Sequence, residues 1–163
     1  MLSFGIEEDD IKVFMQKLLQ EKAFDELEVR SIYIDKIVKY DIDCSMSQGN
    51  SSNNLEDNKQ TIKNIFIKWA DIKPNILNII KGNQKPRQLK IVFCLSEDKL
   101  LSLTDNASAM FLNISYSYDI NTTSLTGTTA ISQKSFNLEK KEENIWEDFV
   151  INFFRDNNIN IVT

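Results

Sequence analysis

Apolar residues recur along this chain with a changing period, and each period predicts a different element. In EEDDIKVFMQKLLQEKAF, residues 7–24, Ile11, Phe14, Met15, Leu18 and Leu19 repeat at helical spacing and form one stripe. Glu7, Glu8, Asp9 and Asp10 crowd its first turn, where the helix dipole favours negative charge. LEVRSIYIDKIVKYDIDC, residues 27–44, interleaves Val, Ile and Tyr with polar residues. That predicts one long strand, or two broken near Asp35 and Lys36. Apolar residues then thin out in SMSQGNSSNNLEDNKQ, whose Ser, Asn and Gly content predicts a mobile polar loop at about 45–60.

Alternation returns in TIKNIFIKWADIKP, predicting a short strand through Trp69. Pro74 is expected to open a helical turn, NILNIIKG, with Gly82 as its stop. QLKIVFCL, residues 88–95, is apolar from Ile91 onward, as suits a strand buried on both faces in the middle of a sheet. Ser96 then reads as the N-cap of a short helix with Leu100, Leu101 and Leu103 inward, ending near Asp105 and Asn106. Met110, Leu112, Ile114, Tyr116 and Tyr118 alternate with polar residues in the first arm of a hairpin. Its turn falls at 119–123 and its second arm is rich in Thr. Finally, Ile145, Trp146, Phe149, Val150, Phe153 and Phe154 form a wide stripe on a C-terminal helix. The order of elements predicts an α+β single domain over 1–163: a mainly antiparallel sheet packed by the N- and C-terminal amphipathic helices.

Composition narrows the chemistry more than the architecture. The 163 residues are 42% hydrophobic and 26% charged, an ordinary globular balance. With no His, the usual proton shuttle near neutral pH is absent, and so is any Ser-His-Asp arrangement or imidazole zinc site. Two isolated cysteines, Cys44 and Cys94, make no structural zinc site and read as small buried hydrophobes of a reducing compartment. Four glycines leave no phosphate-binding fingerprint. No basic leader with an apolar run opens the chain and no stretch is apolar enough to span a bilayer, so a cytoplasmic protein without a membrane partner is expected. Nothing in the sequence indicates a cofactor or a metal.

Several short stretches together resemble a known family. They are Ile11-Lys12-x-Phe14-Met15-x-Lys17-Leu18-Leu19, Phe24-Asp25, Trp69-x-x-Ile72-Lys73-Pro74, Ile79-Ile80-Lys81-Gly82-Asn83-x-x-Pro86 and Leu89-Lys90-Ile91-Val92-Phe93. Leu112-Asn113-Ile114-x-Tyr116, Thr126-Gly127-Thr128-Thr129 and Trp146-Glu147-Asp148-Phe149 complete the set. Over nearly its whole length the chain is similar to small uncharacterised proteins of clostridial, Gram-positive bacteria, known as a domain of unknown function. That resemblance implies one compact bacterial domain and brings no activity with it. The chain departs from the family at the hairpin turn, where Asp119-Ile120-Asn121 replaces a common Gly, and near Thr126, where a Cys is common.

Charge singles out one segment. The formal net charge is −5 and the pI is near 4.8, yet Lys73 to Lys90 holds five cations and no acid, leaving −10 on the rest. Lys73, Lys81, Lys85, Arg87 and Lys90 can give a local positive potential around a loop shaped by Gly82 and Pro86. Thr126, Thr128 and Thr129 would add neutral donors if folding brings them close. The expected function is a binding or interaction module that contacts an acidic protein or nucleic-acid phosphate through this loop. One alternative is a metal-dependent enzyme on a phosphate substrate, with Asp41 and Asp43 as ligands and Lys81 or Lys85 as the clamp. Another is a purely structural component of an oligomer.

Overall fold

The computed structural model describes residues 1–46 and 65–163. In chain order the elements are β1 (Ser3–Ile6), α1 (Glu8–Leu19), β2 (Glu28–Asp35), β3 (Lys39–Asp43), β4 (Ser45–Met46), β5 (Ile65–Lys68), α2 (Trp69–Ile80), β6 (Gln88–Cys94), α3 (Glu97–Leu103), β7 (Ala107–Tyr118), β8 (Thr123–Gln133) and α4 (Lys141–Asp156). The strands form one eight-stranded sheet in the order β1-β8-β7-β6-β2-β5-β4, with β3 also on β2. Every pairing among the described residues is antiparallel. β2 is forked: Glu28 and Val29 pair with β5, whereas Ser31 to Asp35 pair with β3. The ladder shifts by one residue at Arg30, between β2 and β6, and again at Ser108, between β7 and β8.

The period-two alternation sorts the strands into two faces. Ile32, Ile91, Ile114 and Gly127 lie side by side across four strands, and the three isoleucines are buried. Aromatic rings of several elements meet one another. Phe24 lies 5.4 Å from Phe93 of β6 and 5.5 Å from Phe14 of α1, and Phe154 of α4 lies 5.0 Å from Phe4 of β1. Trp69 is fully buried because its indole N–H has a partner, the Leu18 carbonyl at 2.7 Å. Trp146 donates likewise to the Phe111 carbonyl at 2.9 Å.

Several expectations need correction. Trp69 opens α2 rather than closing a strand, so Pro74 sits inside the helix. Tertiary bonds explain the early start: the Trp69 N–H donates to the Leu27 carbonyl and the Ala70 N–H to the Asp25 carbonyl, which satisfies donors at the helix start. The C-terminus of α2 has no basic residue in its own last turn. Lys36, just past β2, supplies one: its ammonium donates to the carbonyls of Ile79, Ile80 and Lys81 at 2.8–3.3 Å. Gly82 follows at φ 130°, the stop expected of it. β6 is central but not buried on both faces, since Lys90 is exposed and Val92 only half-buried. α3 is capped by Ser96, as expected, but ends at Leu103 and leaves Leu101 exposed. β1 has no counterpart in the sequence reading. Of the expected polar loop, Ser45 and Met46 form β4, and 47–60 lie outside the described residues.

Both cysteines are free and buried. Burial, helped by the Asp43 charge, pushes the Cys44 thiol up to about 11, and burial with the Glu28 charge pushes Cys94 up to about 12. In the unfolded chain both ionise near 9. Stability held below that pH is therefore lost as pH rises towards the folded values, on the order of 2–4 kcal/mol per thiol. Denaturant midpoints should fall steeply between pH 9 and pH 12, and a Cys44→Ala/Cys94→Ala variant should show a shallower fall. At pH 8 a chromogenic thiol reagent should label neither cysteine until denaturant is added.

Candidate functional site

The sheet face turned away from the ring cluster carries small polar side chains around two cation–ring pairs. Ser31, Val92, Asn113 and Thr128 lie side by side across β2, β6, β7 and β8. In the next row Tyr33, Lys90, Ser115 and Thr126 do the same. The Lys90 ammonium lies 5.9 Å from the Tyr33 ring centre, and the Arg30 guanidinium lies 4.9 Å from that of Phe111. Arg30 reaches this position because it is the extra residue of the β2 ladder. Among the described residues, neither cation has a carboxylate within ion-pair distance. The Asn113 amide donates to the Thr128 hydroxyl at 3.1 Å, which fixes both side chains on this face.

Acids border the face on its β3 side. Asp41 lies opposite Tyr33 and Asp43 opposite Ser31. The Ser45 N–H and hydroxyl donate to Asp43 at 2.9 and 2.7 Å and hold its carboxyl below the usual carboxylate range, with Arg30 adding to the effect. A 330 Å³ hollow lies between Arg30, Ser31, Asp41, Asp43, Ser45 and Phe66. At the other corner, burial pushes the Glu28 carboxyl up, opposed by the Lys68 charge.

Proximity along the chain does not carry over to space for the segment 73–90. Lys73 points from α2 to Asp25 at 2.5 Å, with both side chains largely buried. Arg87 pairs with Asp35 at 3.1 Å. Lys81 is exposed at the end of α2, and Lys85 lies 5.1 Å over the Tyr118 ring. Only Lys90 reaches the open face.

The threonines divide in the same way. Thr126 and Thr128 share the open face with Lys90, two strands away at about 10 Å. Thr129 points the other way, is buried, and accepts the Leu2 N–H at 2.9 Å, so it lines no exposed site. Arg30, Tyr33, Phe111 and Asn113 were not picked out from the sequence. Their signal is alternation, which becomes readable only once the partner strands are known.

The metal arrangement is not assembled. Asp41 and Asp43 border the open face, whereas Lys81 and Lys85 lie beyond the Asp35 end of β2. Among the described residues no three His, Cys, Asp or Glu side chains are placed to hold one ion. The outer strands are β4 and β3 on one side and β1 on the other, where Gly5 bridges to Val162. Among the described residues no helix is long and apolar enough to cross a membrane.

No curated protein and no solved structure matches the chain. A family model does, over residues 17–161, from late in α1 to beyond the end of α4. That span takes in Arg30, Tyr33, Lys90, Phe111, Asn113, Thr126 and Thr128, and the chain belongs to the family of unknown function DUF5721.

Proposed function

We propose that this chain is a cytoplasmic bacterial binding module whose open sheet face takes single-stranded nucleic acid. In this reading the terminal helices pack on one face of the sheet and leave the other to the ligand. The carrying observation is the pair of cation–ring contacts, Lys90 with Tyr33 and Arg30 with Phe111, on one solvent-facing surface. A ring beside a cation can stack a base while the cation meets its phosphate. Asn113, Ser115, Thr126 and Thr128 between them offer neutral hydrogen-bonding groups. An acidic protein would use the cations but has no need of the half-buried rings beside them, which favours the nucleic acid. Two free buried thiols suit a reducing compartment.

Fluorescence anisotropy with short labelled DNA and RNA strands tests the reading. Arg30→Gln/Lys90→Gln should weaken binding at least tenfold and lower the salt slope by about 1.4, the value for two lost contacts to a single strand. Tyr33→Ser should cost about 1–3 kcal/mol of binding, whereas Lys81→Gln should change little. Equal affinity in the double variant, or competition by polyglutamate as strong as by the oligonucleotide, would sink the proposal.

A further inference from the structure

A groove of about 770 Å³ runs between α1 and the chain entering β6, apart from the open face. Its α1 wall is Ile11, Met15 and Leu19, spaced i, i+4, i+8, and Ile80 and Pro86 contribute from across it. Three such positions cover about 12 Å of helix, long enough for an extended medium-length alkyl chain. An apolar wall and a volume of this size are common in small-ligand sites, and Gln16, Gln20 and Thr123 add polar groups to this one.

Chemistry at the β7 side of the groove makes it more than a bare apolar cleft. Tyr116 lines it, is only 8% exposed, and its hydroxyl has no hydrogen-bond partner among the described residues. No buried side-chain polar atom among them lacks a partner, so the hydroxyl keeps its small exposure, on the groove it lines. Burial pushes its pKa above the usual phenol range, so at neutral pH it is a donor. Lys85 and Lys12 stand at the rim, neither paired with a carboxylate among the described residues, and Glu8 is the one acid lining the groove. A donor facing the groove and two cations ask for an anionic head, and the wall beyond asks for an apolar tail.

We propose that this groove binds a fatty-acid-type carboxylate, with its head at Tyr116 and Lys85 and its tail along Ile11, Met15 and Leu19. The Tyr116 hydroxyl donates to one carboxylate oxygen, the Lys85 ammonium sets the charge preference, and the alkyl chain covers the apolar wall. The site is separate from the open face, and neither proposal depends on the other.

Calorimetric titration with dodecanoate below its micellar concentration tests this, with dodecan-1-ol as the neutral comparison. One saturable site is expected, with the alcohol at least tenfold weaker. Tyr116→Phe, which keeps the ring, and Lys85→Gln, at an exposed position, should each weaken dodecanoate several-fold. Met15→Glu should remove binding and lower the melting temperature somewhat, since Met15 packs against the core, while circular dichroism shows the fold retained. Absence of binding, equal affinity for acid and alcohol, or unchanged affinity in Tyr116→Phe and Lys85→Gln would each overturn the assignment. Arg30→Gln/Lys90→Gln should leave dodecanoate affinity untouched, so failure of one site is told apart from failure of the other.

Discussion

Phe24→Ala is expected to lower the unfolding free energy by about 3–5 kcal/mol, enough to unfold a marginal domain near physiological temperature. Phe24 follows α1 and belongs to no helix or strand, yet it is fully buried. Its ring meets Phe14 at 5.5 Å, Phe93 at 5.4 Å and Phe153 at 5.3 Å, joining α1, β6 and α4 at one point. Truncation forfeits the transfer energy and opens a void where three elements meet, which partial relaxation does not close. Phe24→Leu should cost less, since it fills most of the space. Urea unfolding monitored by tryptophan fluorescence gives both numbers. A loss below about 1 kcal/mol in the alanine variant would mean that the rings collapse together.

The second large effect is expected where a side chain is missing. Gly127 of β8 lies opposite Phe4 of β1, and a Cβ placed on it would come within 2.7 Å of both Cε carbons of that ring. Phe4 is buried against Phe154 and has nowhere to retreat. Gly127→Val should therefore destabilise by about 1–3 kcal/mol or more through overpacking. The cause is testable by a double-mutant cycle: once Phe4→Ala has emptied the space, Gly127→Ala should cost almost nothing. The expected coupling is about 1–3 kcal/mol. Simple additivity of the two changes would assign the cost to the β8 backbone instead.

What could be read from the residues followed the range of the interactions responsible. α4 and the β7–β8 hairpin were legible because periodicity and a local turn decide them. A break near Asp35 was one of two readings that the residues left open, and the structure has it, between β2 and β3. β1 was missed because four residues carry little pattern, and its partners, β8 and Val162, lie more than a hundred positions away. α2 was misplaced because its start depends on bonds to Leu27 and Asp25, whereas Pro74 offered a local signal that those bonds override. The site suffered most. Five cations adjacent in sequence stand on a helix, a loop and a strand, and the carboxylates that hold Lys73 and Arg87 come from Asp25 and Asp35, about fifty positions upstream. Charge segregation along a chain becomes a surface only when one element carries it. The pairing of Lys90 with Thr126 and Thr128 across two strands rests on register, which no single stretch encodes.

The one-residue shifts at Arg30 and Ser108 resolve a problem of parity. Val29 and Ile32 are both buried, as are Ala107 and Met110, although each pair is three positions apart and strict alternation would send its members to opposite sides. An extra residue advances the phase by half a period, so both members point inward, and the intervening Arg30 is thrown outward over Phe111. Replacing Arg30 would change one charge. Removing the position altogether would turn one half of β2 inside out.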